Sequence, residues 1–163
     1  MMRRALLGLG LLGTAGLVAA AALGYGLRGG AEEQARAHVL LSLGATMVLL
    51  FSHTWIVLYL VATGGVVSRV VRERGYEVEL LARARRLRLR ALPWLLAALV
   101  MVVATFLVGN AVLSGAAPAA VHHALFYCTL AVQVGAMAVE RRVLAGHDGL
   151  QAELIRRAEA DAA

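Results

Sequence analysis

Residues 38–62 read HVLLSLGATMVLLFSHTWIVLYLVA, a run without one Asp, Glu, Lys or Arg. Wound as a helix it rises about 37 Å, enough to cross the roughly 30 Å of hydrocarbon in a bilayer with some tilt. Three further runs share the pattern: Ala5–Leu27, Ala91–Leu113 and Ala119–Val139. In a chain of 163 residues that is 61% hydrophobic, these blocks leave little sequence for a separate soluble core. Hydrocarbon tolerates helices and closed barrels, and blocks of this length are helical. The predicted fold class is therefore an all-α integral membrane protein, a four-transmembrane-helix bundle.

The arginines set the orientation. Arg3 and Arg4 precede the first run, eight arginines fall between Arg69 and Arg90, and Arg141 and Arg142 follow the fourth run. The other two connections hold only Arg28 and Arg36, or no charge at all. By the positive-inside rule both termini and the central connection are cytoplasmic, and the expected setting is a bacterial cytoplasmic membrane. The net charge of +6 then reports topology and contact with anionic lipid. It does not point to nucleic acid, because the basic stretch has no interleaved aromatic residues for stacking on bases. Met1–Gly30 also has the outline of a secretory signal, but its apolar run is longer than a signal core. Gly16, Ala20 and Gly24 place small residues four apart, which suits close helix packing, so the first span is read as retained.

Between spans two and three the pattern predicts a cytoplasmic helical hairpin over residues 66–92. Val66, Val67, Val70 and Val71 extend an apolar face beyond the second span, with Ser68, Arg69 and Arg72 on the wet side. Gly64–Gly65 marks a bend and Gly75 an end. A second helix runs from Glu77 toward Pro93, with acids early and arginines late, the favourable sense for its dipole. Pro93 and Trp94 mark entry to span three. Residues 1–145 form the membrane domain. Gly146–Gly149 divides off a short amphipathic tail, 146–163, which lies on lipid or docks on a partner. No internal repeat supports duplication.

Function rests on the histidines. Spans two and four run in the same direction, so His38 enters at about the depth of His122 and His123. His53 lies fifteen residues further on, about 22 Å deeper and only about 60° around the helix. On span four, Thr129, Gln133 and Glu140 each fall within about 20° of the direction of His122, and Met137 lies near the depth of His53. Polar groups aligned inside hydrocarbon face the bundle interior. Facing imidazoles suit a b-type haem. The outer ligand pair is His38 with His122 or His123; a deeper pair is His53 with Met137 or Met101. Arg36 or Arg28 answers the propionates, and Asn110 orients an imidazole.

Other chemistries are weaker. A zinc or copper ion on His38, His122 and His53, or with His123, lacks an HExxH sequence and a nearby carboxylate. Adjacent His122 and His123 point about 100° apart and do not readily share one centre. Glu140 beside Arg141 reads as an interfacial ion pair, and His147 beside Asp148 as a surface residue. The single Cys128 supports neither a disulfide framework nor a redox pair. Ser42, Ser52 and His53 form no nucleophile–base–acid set, so a stand-alone enzyme is not indicated. Two readings remain. One is a small cytochrome-b-like electron-transfer subunit that binds haem b between spans two and four and exchanges electrons with quinone, quinol or a redox partner. The other is a non-enzymatic accessory or assembly subunit of a larger complex, or a homo-oligomer, with structural histidines.

Overall fold

The computed structural model describes residues 2–26 and 32–161. Within them the chain forms four helices: α1 (Met2–Tyr25), α2 (Glu32–Arg74), α3 (Val78–Leu113) and α4 (Ala119–Ala160). Each is long and apolar enough to cross a membrane. Chain neighbours pack side by side and α1 closes against α4, so the helices form a square with α2 and α4 on one diagonal. Large apolar side chains also cover the outside, among them Leu12, Met47, Phe51, Val100, Leu107 and Val134. A helix that is apolar all round belongs in a nonpolar surrounding.

The two best-defined helix ends show why the chain turns where it does. Gly75 takes a φ of 69°, and the Tyr76 N–H donates to the Val71 carbonyl at 3.0 Å. Gly115 takes a φ of 76°, with the Ala116 N–H on the Ala111 carbonyl at 2.8 Å. Both are left-handed terminations in which glycine avoids a Cβ clash and the freed carbonyls find donors. Pro118 precedes α4, whose first turn has no need of the N–H that proline lacks.

The helices run on where the sequence predicts breaks. Gly64 and Gly65 sit inside α2, Pro93 lies inside α3, and α4 passes through Gly146 and Gly149 to Ala160. A mid-helix glycine costs about 1 kcal/mol relative to alanine, less than the packing of the faces it joins. Gly146 also has a packing reason, since a Cβ there would come within 2.9 Å of the Leu87 side chain.

Beyond the start of α1 the other three helices continue as an extension with its own core. Val67 and Val71 of α2, Leu80 and Ala84 of α3, and Leu150 and Leu154 of α4 are all buried together. Residues 146–160 thus dock on their own chain, covering the apolar sides of the segments that flank Gly75. Arg83–Glu153 at 3.2 Å and Arg157–Glu153 at 2.7 Å lie on the surface of this extension. Such exposed pairs contribute little to stability. Leu6, Ile56, Leu60, Ala91, Leu95, Val143 and Leu144 form the apolar layer next to the extension. Leu17, Ala45, Leu49 and Val102 form another nearer the opposite end. Glycines on α1 bring that helix close to α2, as where a Cβ on Gly16 would stand 3.0 Å from that of Ala45.

Candidate functional site

The diagonal pair α2 and α4 carries two polar centres at different depths. At the end holding the α3–α4 connection, His38 and His122 face each other across the bundle. Their ring centres are 6.5 Å apart and the ring planes stand at 88°. His38 Nδ1 lies 2.7 Å from the Ala20 carbonyl of α1. A carbonyl only accepts, so Nδ1 carries a proton, and in the neutral ring the lone pair is on Nε2.

Glycines on the other diagonal make room for both rings. A Cβ on Gly24 of α1 would come within 2.9 Å of His38 Cε1, and one on Gly109 of α3 within 2.8 Å of His122 Cε1. Each helical hairpin thus contributes one imidazole seated against one glycine. The rings line a cavity of about 180 Å³ walled by Leu17, Val102, Phe106 and Phe126, with Thr129 at its floor. His122 Nδ1 is buried there without a hydrogen-bond partner.

The remaining residues predicted for this end divide differently. His123 is exposed on the cavity rim, its ring 4.9 Å from that of Tyr25, whose hydroxyl donates to the Tyr127 hydroxyl at 2.8 Å. Asn110 also lines the cavity, but its amide donates to the Phe106 carbonyl of its own helix at 2.9 Å and orients no imidazole. Arg36 is exposed in the early turns of α2, outside the cavity wall. Arg28 lies outside the described residues.

The second centre is a buried cluster. His53 of α2 and Gln133 and Glu140 of α4 are at most 1% exposed. His53 Nδ1 is 2.7 Å from Glu140 Oε1, while the Gln133 amide nitrogen is 2.8 Å from Nε2 and its oxygen 3.2 Å away. With the amide nitrogen nearer, Gln133 donates to Nε2, and Nδ1–H donates to the Glu140 carboxylate. Neither ring nitrogen is then left for a metal. Met137 does not complete a deeper ligand pair, because both His53 ring nitrogens are already engaged and its sulfur lies 3.5 Å from the Thr14 hydroxyl of α1, which itself donates to the Gly10 carbonyl at 2.8 Å. Met101 offers its backbone carbonyl to Thr129.

Two sequence expectations change here. Glu140 turns inward to His53 instead of pairing with Arg141. His147 is fully buried beside Tyr59, with ring centres 6.0 Å apart and neither ring nitrogen partnered. Burial pushes its imidazole below the ordinary histidine value, with neighbouring Asp148 pulling the other way. The column Gln133, Glu140, His147 repeats every seven residues, a signal present in the sequence that the chain's expected division at Gly146 obscures.

His38, His122 and His53 do not converge on one ion. Among the described residues no group of three or more His, Cys, Asp or Glu side chains is placed to hold a metal. What the arrangement offers is two facing imidazoles beside a largely apolar cavity and, deeper, a buried cluster in which both His53 ring nitrogens are engaged while Glu140 Oε2 has no partner. No protein-family model matches this chain, and no curated protein or solved structure shows significant similarity to it.

Proposed function

We propose that this chain is a membrane subunit that binds one haem b at the end of the bundle holding the α3–α4 connection, where His38 and His122 would hold it. The spacing of the two rings carries the reading. Two imidazole nitrogens about 2 Å from one metal put their ring centres about 6 Å apart, close to the 6.5 Å separation. A bare zinc ion wants four ligands and here meets two imidazoles, whereas a porphyrin supplies four nitrogens of its own. The carbonyl on His38 Nδ1 is the partner that fixes a ligating tautomer.

The cavity's 180 Å³ is below the roughly 300–1,000 Å³ of small-molecule pockets. A macrocycle there would need this end of the bundle to widen, beside the small residues Ala20, Ala21, Gly24 and Gly109. When bound, the haem supplies one-electron chemistry. The chain's contribution is to orient two imidazoles, exclude water with Phe106 and Phe126, and set the potential through ligand identity and burial. The spans lie in a membrane with the three-helix extension on the cytoplasmic side, where the arginines gather. A haem held there would exchange electrons with a membrane quinone or a protein redox partner. A pyridine haemochrome assay on gently purified protein tests the reading by counting b haem per chain.

A second reading, a non-enzymatic accessory subunit, has its own supporting observation. Both ring nitrogens of His53 are taken up by Glu140 and Gln133, and the extension has a core of its own beneath an arginine-bearing surface. A chain that binds no haem is accounted for by those features as a scaffold within a larger complex.

A further inference from the structure

We propose that the groove between α2 and α3 is a binding site for one anionic phospholipid. Its acyl chain lies along Val57, Val61, Leu89 and Leu92, and its phosphodiester meets Arg88. This site depends on the chain lying in a membrane with the extension at the anionic leaflet, and it is independent of the haem.

The groove has a volume of about 310 Å³, and Arg88 is its single charged wall residue. Val61 and Leu89 are about half exposed, so it opens on the outer surface of the bundle and is not a core void. Arg88 itself is half-buried. Arg83 and Arg86 are paired with Glu153 and Glu79, but no carboxylate or carbonyl accepts from Arg88 among the described residues. An unpaired guanidinium partly removed from water is costly, and a phosphate accepts from it with matching two-pronged geometry.

One backbone feature leaves room for the headgroup. One turn on from Val61, Gly64 and Gly65 have open space beside α2 where a Cβ would stand. Arg88 lies three residues before the apolar run that starts at Ala91, the height at which headgroups sit. A quinone tail carries no charge and would leave Arg88 unanswered. An anionic lipid uses both the apolar wall and the cation.

The test is native mass spectrometry of the full chain, released from mild detergent and titrated with phosphatidylglycerol or with phosphatidylcholine of the same acyl chains. The expected result is one phosphatidylglycerol retained at about tenfold lower lipid concentration than phosphatidylcholine, a preference worth about 1.4 kcal/mol. Arg88→Gln should bring the two lipids to near parity, and Arg88→Lys should restore part of the preference. Val61→Trp, which fills the groove, should weaken both lipids. Arg142→Gln, which removes a charge of the same region on another helix, should change nothing. An undiminished preference in Arg88→Gln overturns the site, as does an equal loss in Arg142→Gln, the mark of diffuse attraction alone. A chain that stays monodisperse without detergent and retains neither lipid overturns the membrane reading along with it.

Discussion

His53 and Glu140, 87 residues apart in the chain, meet across the bundle diagonal at 2.7 Å, with side chains 0% and 1% exposed. A buried pair of this kind is weak evidence for net stability, but breaking it from one side leaves an uncompensated charge or dipole inside the fold. Changing His53→Leu alone should cost about 3–5 kcal/mol, because the Glu140 carboxylate then stays buried without its donor. The double variant His53→Leu with Glu140→Leu should recover most of that loss. Thermal unfolding of the four members of this cycle in detergent measures the coupling, and strict additivity would contradict the pairing.

Gly24 and Gly109 should behave as space-makers for the two facing imidazoles. Alanine at either position puts a Cβ within 2.9 Å or 2.8 Å of a ring carbon, so the ring must shift. Each substitution should cost about 1–3 kcal/mol through overpacking and lower the haem content per chain. Gly8→Ala is the control, since nothing lies within 4 Å of its Cβ position and alanine favours the helix. Equal haem content in Gly8→Ala, Gly24→Ala and Gly109→Ala would count against the imidazole seats.

The buried His147 makes stability depend on pH with a definite sign. Its folded value is lowered, so below about pH 6.5 the unfolded chain binds the proton more readily than the folded one. The contribution is fully present above about 6.5 and is lost as pH falls toward the lowered folded value, by at most about 1.4 kcal/mol per pH unit. His147→Phe should therefore lose less thermal stability than the natural chain between pH 7 and pH 5. Parallel melting curves for the two proteins would show that His147 stays neutral in both states or is not buried.

Docking of residues 146–160 on the extension rests on two leucines. Leu150 is fully buried and Leu154 nearly so, against Val67, Val71 and Leu80. Leu150→Ala should cost about 2–5 kcal/mol locally, through lost transfer energy and an unfilled cavity. Limited proteolysis reads this out as faster cleavage after Arg156 or Arg157, with the apolar core of the bundle left intact. Unchanged cleavage would mean that the segment is held by something other than these contacts.

How far the sequence carries differs between fold and site. The four apolar helices are legible because charge-free runs such as 38–62 have one physical reading. Their ends are not, because continuation through Gly64, Pro93 and Gly146 depends on what Val67, Leu87 and Leu150 pack against. The facing of His38 and His122 is legible from equal depth on spans of like direction, and the polar stripe of α4 from its 3.6-residue spacing. The partner of His53 is not, since a periodic face names neither the residue opposite nor its rotamer. Met137 shares the depth of His53, yet its sulfur turns to Thr14 of a third helix.

The most direct test of the haem reading is a reduced-minus-oxidised absorption spectrum, with haem counted per chain. It is taken on protein expressed with ample haem and purified with its lipid. The natural chain should show one b-type haem. His38→Ala and His122→Ala should each abolish it, while His53→Gln and His123→Ala should keep it, provided each variant remains helical and monodisperse. Absence of haem from the natural chain under those conditions contradicts the account and leaves the accessory-subunit reading. Haem that survives both outer substitutions, or disappears only with His53, contradicts the assignment of its ligands.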